Sequence, residues 1–177
     1  MHLADLLAAL AVLGLVLAAT LTLLEQGQRV YAFGAARVEV QQSARVALDR
    51  LARDIRGAGF GPAATGFPAI SVAEPARIVL HSDLDGDGVI AARGETITWR
   101  VSGGILRRDA GGGAQPVING VRALALTYLD AEGRVTDVPA AVRAVVVALT
   151  TQPDHTASVL AGGVATTVST QVRLRNR

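Results

Sequence analysis

Three aspartates at alternate positions form the densest group of candidate ligands in the sequence. Asp83, Asp85 and Asp87 lie in the run DLDGDG, where two glycines separate and follow them. This pattern is the opening half of a calcium-binding loop, in which carboxylate oxygens converge on the ion and glycine permits a sharp turn. The predicted calcium ligands are the three carboxylates, one backbone carbonyl and a later glutamate: Asp83, Asp85, Asp87, Val89 and Glu95.

The match to a complete calcium loop is partial. A helix–loop–helix calcium site has a bidentate glutamate at its twelfth position, which here is Gly94, and Glu95 follows one position later. The alternative interpretation is an acidic turn between two strands, because Asp-Gly pairs are also common in turns. The residues leave both interpretations open, and they indicate no cofactor other than calcium.

Other reactive residue types are absent or scattered. The chain has no cysteine, which excludes disulfides, thiolate nucleophiles and cysteine-ligated zinc. Its three histidines, His2, His81 and His155, are far apart, and we predict that His81 is a half-buried strand residue. No glycine-rich turn joins a strand to a helix, so no phosphate-binding loop is indicated. We therefore predict that the protein is not an enzyme.

The charge and composition restrict the classes of partner. The 17 basic residues, all of them arginines, nearly balance 15 acidic residues, for a net charge of +2. This balance gives no reason to expect nucleic-acid binding, which concentrates basic residues on one face. Half of the residues are hydrophobic but only 3% are aromatic, so the predicted core consists mainly of alanine, valine and leucine.

The first structural element that the sequence indicates is an uncharged apolar segment from Leu6 to Leu24. Its length is close to the roughly 20 residues that span a bilayer, and it contains Gly14, a residue type that membrane helices tolerate. A cleavable signal peptide would have a basic flank, which is absent here, and an ordinary signal anchor leaves Asp5 unexplained. A carboxylate at the edge of an apolar helix needs pairing or solvation, and we predict a positive charge on another subunit as its partner.

Helical periodicity continues beyond the apolar segment. Apolar positions spaced by three and four residues run from Val30 to Ile55, with charged residues between them, as in an amphipathic helix. Gly57, Gly59 and Pro62 are expected to end this helix. The predicted organisation is a hydrophobic transmembrane or filament-core helix over 1–26, an amphipathic half of the same helix over 27–58, and a globular head over 59–177.

The head has the pattern of a β-rich domain. Alternating residues from Glu95 to Val101 and a hairpin signal at 102–104 indicate two antiparallel strands. Further predicted strands cover Arg77–His81, Val121–Leu129, Val142–Thr150 and Val164–Leu174, and a flexible loop is predicted for 109–116. Connections are short, and no helical pattern lies between the strands. The predicted fold class is α+β, with the long N-terminal helix packed on an antiparallel β-sheet head.

The N-terminal run MHLADLLAALAVLGLVLAATLTLL resembles the mature N-terminus of type IV pilins and type II secretion pseudopilins. That family has a hydrophobic or methylated first residue, an apolar third residue, an acid at the fifth position and then an apolar segment, which correspond here to Met1, Leu3, Asp5 and Leu6 to Leu24. The run RVALDRLARDIRGAGFGP further resembles the end of the long helix in W-type minor pilins and J-type pseudopilins. The chain departs from the usual pattern with aspartate in place of glutamate, and with Thr22 where many members carry proline.

The resemblance implies a structural subunit of a type IV pilus-like filament, with Met1, Leu3, Asp5 and Gly14 as assembly residues. The implied partners are copies of this chain or sibling pilins, the cytoplasmic membrane before assembly, a prepilin peptidase and a motor ATPase. It also implies that the numbering starts after a removed leader peptide. The implied location is the bacterial cytoplasmic membrane with the head outside the cytoplasm, and then an extracellular pilus or a periplasmic pseudopilus.

Two alternatives to a pilus subunit remain at this point. The first is a J-type pseudopilin in the tip complex of a type II secretion system. The second belongs to another class, a monotopic membrane-anchored envelope protein whose head binds a ligand or a partner. Asp5 discriminates between filament subunit and anchor, because a plain anchor should tolerate its replacement by alanine.

Overall fold

The computed structural model describes residues 3–62, 66–152 and 165–176. The chain divides into two compact units, the first extending to Val38 and the second beginning at Glu39. The described residues form one long helix followed by antiparallel sheets, which confirms the α+β class.

Helix α1 runs from Leu3 to Gly57 and supplies all the described residues of the first unit. Alanine and leucine dominate its first part, and both have high helix propensity. Thr20 and Thr22 donate their hydroxyl hydrogens to the carbonyls of Leu17 and Ala18, each at 2.8 Å, so the two hydroxyls are satisfied within the helix. Position 22 lies within the continuous helix α1.

In the second unit, α1 is buried along one face. The predicted apolar positions Val40, Ala44, Leu48, Leu51 and Ile55 are all buried, as are two alanines that the periodicity did not single out. The predicted apolar face began ten residues earlier, but Val30 and Phe33 are 72% and 38% exposed. The spacing therefore identified the correct face of the helix, whereas it could not show where along the helix burial begins.

The helix end is held by hydrogen bonds to other parts of the head. The N–H of Gly59 donates to the carbonyl of His81 at 2.7 Å. The Asn176 side-chain amide donates to the carbonyls of Gly57 and Ala58, both at 3.3 Å. The two Asn176 bonds reach carbonyls at the C-terminus of the helix, where intrahelical donors run out.

The strands form two antiparallel sheets. The first sheet has the order β1-β2-β3-β4-β5, and the second has the order β6-β7-β8, with a short 3-10 helix, Pro139–Ala141, before β7. The strand bounds are β1 Ile70–Glu74, β2 Arg77–His81, β3 Thr96–Ser102, β4 Ile105–Asp109, β5 Gln115–Ile118, β6 Val121–Leu129, β7 Ala144–Thr151 and β8 Thr166–Arg173.

The described strands of the head divide into two sheets, because β5 and β6 do not pair. The junction instead uses the turn between β1 and β2. Leu126 donates its N–H to the carbonyl of Pro75 at 2.8 Å, and the Tyr128 hydroxyl lies 2.7 Å from the carbonyl of Glu74 and 3.2 Å from that of Arg77. Burial, together with the charge of Glu74, raises the pKa of the Tyr128 hydroxyl, which keeps it protonated as a donor.

Most predicted strands lie within one or two residues of the observed ones. The exceptions are β1, which was not predicted, and β5, whose first residues fall in the segment predicted as a flexible loop. The start of the last predicted strand, at Val164, lies outside the described residues. Side chains from α1 and from both sheets form one continuous hydrophobic cluster. Its largest fully buried members include Leu51, Ile55, Ile70, Ile78, Leu80, Trp99, Leu106 and Leu149.

Candidate functional site

The acidic loop, residues 82–95, connects β2 to β3. Its first acid, Asp83, is only 1% exposed, and its two carboxylate oxygens accept the N–H groups of Gly86 at 2.7 Å and Gly88 at 2.9 Å. Both glycines have a positive φ, about +80° and +84°, which a residue with a side chain rarely adopts. Asp83 therefore organises the turn around itself, and the DGDG spacing supplies the two residues that this turn requires.

The other two aspartates lie at the surface of the loop. Asp85 accepts the N–H of Asp87 at 3.2 Å, and Asp87 accepts the N–H of Val89 at 2.7 Å. One carboxylate oxygen from each of Asp83, Asp85 and Asp87 lies within 4.8 Å of the others. The hydrogen bond from Asp87 lowers the pKa of Asp85, but desolvation and repulsion by the neighbouring acids outweigh it, and the net pKa is raised.

Glu95 closes the acidic loop from its other end. It is fully buried, and its carboxylate accepts the N–H of Leu84 at 2.9 Å on one oxygen and the N–H of Ala92 at 2.7 Å on the other. Among the described residues, the carboxylates close enough to share an ion are the three aspartates, and Glu95 is not one of them. The observed contacts of Glu95 fix the loop backbone, a role that its position after a partial calcium pattern did not indicate.

The donor set of the acidic loop fits a hard cation. Its three convergent carboxylates offer oxygen atoms only, which Ca²⁺ prefers, and each oxygen that accepts one N–H retains a second lone pair. The predicted carbonyl ligand belongs to Val89, whose side chain is 56% exposed. The three aspartates are thus brought together as the sequence predicted, whereas Glu95 and Val89 remain predicted ligands.

The residues predicted for filament assembly lie on α1, except Met1, which is outside the described residues. Leu3 is 77% exposed, and Asp5 lies in the first turn, where the helix dipole favours an acid. A Cβ atom at Gly14 would meet no other atom within 4 Å. Every described residue from Leu3 to Ala35 is exposed.

By length and composition, α1 is the one helix among the described residues that could cross a membrane, and its most apolar 18-residue stretch is entirely exposed. The exposed large side chains of this segment include Leu6, Leu7, Leu10, Val12, Leu13, Leu15, Val16, Leu17, Leu21, Leu23 and Leu24. A continuous apolar surface of this extent is unusual for an isolated soluble protein and is typical of surfaces that contact lipid or another protein.

His81 is a structural residue of the head. One ring nitrogen lies 3.0 Å from the Thr96 hydroxyl, and the other lies 2.7 Å from the Ser71 hydroxyl. Burial lowers the pKa of His81, which favours the neutral ring. His2 and His155 lie outside the described residues.

A buried polar trio was missed at the sequence level. Asp54 accepts the indole N–H of Trp99 at 2.8 Å and forms an ion pair with Arg108, whose Nε lies 2.7 Å away. The spacing had placed Asp54 on the solvated face of the helix, but its side chain is only 15% exposed. Trp99 on β3 and Arg108 on β4 both lie more than 40 positions along the chain from Asp54 on α1. For this reason no sequence signal identified this trio.

Comparison with known proteins leaves the family open, since no protein-family model and no curated protein matches this chain.

Proposed function

We propose that this chain is a structural subunit, a pilin or minor pilin, of a type IV pilus-like filament. The observation that carries the proposal is the uncharged segment from Leu6 to Leu24, which is helical and exposed throughout. Lipid would cover this surface in the membrane, and the same apolar side chains would pack between neighbouring helices in a filament. A plain anchor needs only an apolar segment, whereas the resemblance to pilins also includes Leu3 and Asp5.

In this proposal Asp5 binds the amino terminus of a neighbouring copy during assembly. An ion pair at the edge of an apolar helix bundle has little water to compete with it, so the pair would fix the register between subunits. Aspartate is one methylene shorter than the glutamate usual in the family, so it requires a closer approach of the two helices. In the alternative, a J-type pseudopilin, Asp5 would make the same contact. That subunit would assemble with a few siblings in a tip complex, whereas a pilin assembles in many copies along a filament.

We expect Asp5→Ala to abolish incorporation of the chain into sheared surface filaments while leaving its amount in the membrane unchanged. Immunoblots of the filament and membrane fractions, with electron microscopy of the filaments, would measure both. Asp49→Ala is a matched control, because Asp49 is an exposed acid of the same helix in the second unit. Asp5→Glu keeps the negative charge, so this variant should enter filaments at the level of the unchanged chain.

A filament fraction that contains Asp5→Ala at the level of the unchanged chain would refute the assembly role and favour the monotopic anchor. The distribution of the unchanged chain also separates the subunit types. Labelling along the whole shaft indicates a major pilin, and trace amounts indicate a minor pilin or a tip subunit.

We also propose that the three aspartates of the acidic loop bind calcium. We expect millimolar Ca²⁺ to raise the melting temperature of the full chain in detergent by several degrees, and a chelator to reverse the shift. A ligand at 100 times its dissociation constant stabilises the bound fold by about 2.7 kcal/mol. Asp85 and Asp87 are exposed and bond only to the loop backbone, so replacing both with alanine, which offers no oxygen ligand, should remove the shift and spare the fold.

Asp137→Ala with Glu132→Ala, at two exposed acids elsewhere in the head, is the control for the loss of two acidic charges and should keep the calcium shift. If Ca²⁺ does not change the melting temperature of the unchanged chain, the acidic turn is the correct interpretation of the DLDGDG segment.

A further inference from the structure

We propose that a cavity at the C-terminal end of α1 binds a small organic oxyanion, carrying a phosphate or several carboxylates on an apolar body. The cavity has a volume of about 650 Å³, within the range typical of small-molecule sites. All its lining residues belong to the second unit. This proposal does not depend on the filament function, because it concerns only the head.

The charge of the cavity lining is strongly positive. Four arginines line it, from α1, β4 and the segment after β8, together with a single acidic residue, Asp54. Asp54 is already paired with Arg108. Within the described parts of the chain, Arg53, Arg56 and Arg175 form no ion pair, so three positive charges lack a protein partner around one cavity.

Arginine is suited to an oxyanion in this setting. Its planar guanidinium can donate two parallel hydrogen bonds to a phosphate or a carboxylate, and it stays charged at any physiological pH. Three guanidinium groups around one concavity also raise the local concentration of anions. The chain as a whole has a net charge of only +2, so the charge at the cavity exceeds the average for the chain.

The cavity walls indicate the rest of the ligand. Phe60 and Leu84 are 55% and 60% exposed, and both line the cavity, as does the buried Ile97. Exposed large apolar side chains are common singly, but two at one arginine-lined cavity can cover the carbon portion of a ligand. The nearby acidic loop contributes Ser82, Leu84 and Gly94 to the lining but none of its aspartates. The expected ligand is therefore an anion with an apolar part.

The test is calorimetric titration of the full chain in detergent at low salt with phenyl phosphate, inorganic phosphate and citrate. Phenyl phosphate should bind with one site per chain and at least several-fold more tightly than inorganic phosphate, since only the former reaches the apolar walls. A citrate affinity above that of phenyl phosphate would overturn the apolar part of the proposed ligand, because citrate has no apolar body. The reverse order would assign the ligand to phosphate esters.

The matched variants separate a specific site from general charge attraction. Arg53→Gln with Arg175→Gln changes two exposed cavity arginines and should weaken phenyl phosphate binding at least tenfold. Arg50→Gln with Arg173→Gln removes the same charge from exposed arginines of α1 and β8 that do not line the cavity, and should change the affinity less than twofold. No saturable binding by the unchanged chain, or equal weakening in both double variants, would overturn the proposal.

Discussion

Replacing Trp99 with alanine should lower the free energy of unfolding of the head by about 3–5 kcal/mol, the usual cost of truncating a large buried aromatic residue. Trp99 is fully buried on β3 and is the only tryptophan in a chain with few aromatic residues. Alanine would leave a cavity in the cluster shared by α1 and the sheets, and it would remove one of the donors that satisfy Asp54. Chemical denaturation of the full chain, followed by circular dichroism, measures the loss.

Trp99→Phe separates packing from hydrogen bonding at this position. Phenylalanine fills much of the volume but lacks the indole N–H, so its loss should be intermediate. Val135→Ala, at a position 75% exposed, should change the stability by no more than about 0.5 kcal/mol. A Trp99→Ala loss as small as that of Val135→Ala would show that Trp99 does not anchor the core.

Replacing Asp54 with alanine should cost about 2–3 kcal/mol. The substitution leaves the guanidinium of Arg108 and the indole N–H of Trp99 without their acceptor in a largely buried place. The estimate is below the usual cost of breaking a fully buried ion pair, because the two side chains are still 15% and 19% exposed. Fluorescence of Trp99 during denaturation would report the loss directly, since the indole contacts the altered site.

Two comparisons make the Asp54 prediction specific. Asp49→Ala removes an exposed acid from the same helix and should have an effect below about 0.5 kcal/mol. A double-mutant cycle with Arg108→Met should give a coupling free energy clearly above the roughly 0.3–0.5 kcal/mol within which independent sites add. Simple additivity of the two substitutions would contradict a stabilising ion pair.

The features that could be predicted from the sequence are those with a local signal. The apolar segment from Leu6 to Leu24 and the spacing up to Ile55 determine one long helix, because each turn of a helix repeats the same local geometry. The hairpin between β3 and β4 follows from the alternation around Trp99 and from the glycines at 103 and 104. The convergence of Asp83, Asp85 and Asp87 is likewise local, since the six consecutive positions from Asp83 to Gly88 contain every residue that the turn requires.

The features that could not be predicted depend on residues far apart in the chain. The division into two sheets depends on a distant contact of β6. Leu126 of β6 donates its N–H to the carbonyl of Pro75, in the turn between β1 and β2, and β6 does not pair with β5. The burial of Asp54 depends on Trp99 and Arg108, so the helix periodicity alone assigned it to the solvated face. Glu95 shows the same limit, because its buried contacts with Leu84 and Ala92 depend on how the whole loop closes.

The strand order of the two sheets has a consequence for how the head acquires its fold. Every described strand pairs only with strands adjacent to it along the chain, and the loops between paired strands range from two residues, as between β1 and β2, to fourteen, as between β2 and β3. The entropic cost of closing such loops grows only slowly with their length. Topologies dominated by such local contacts fold faster than those with distant strand pairing. We expect the slower steps to be the distant closures, Asp54 with Trp99 and Arg108, and Tyr128 with the carbonyl of Glu74. In this order, docking of the helix end and joining of the two sheets follow hairpin formation. Substitutions that weaken such late contacts should mainly increase the rate of unfolding and change the rate of folding little.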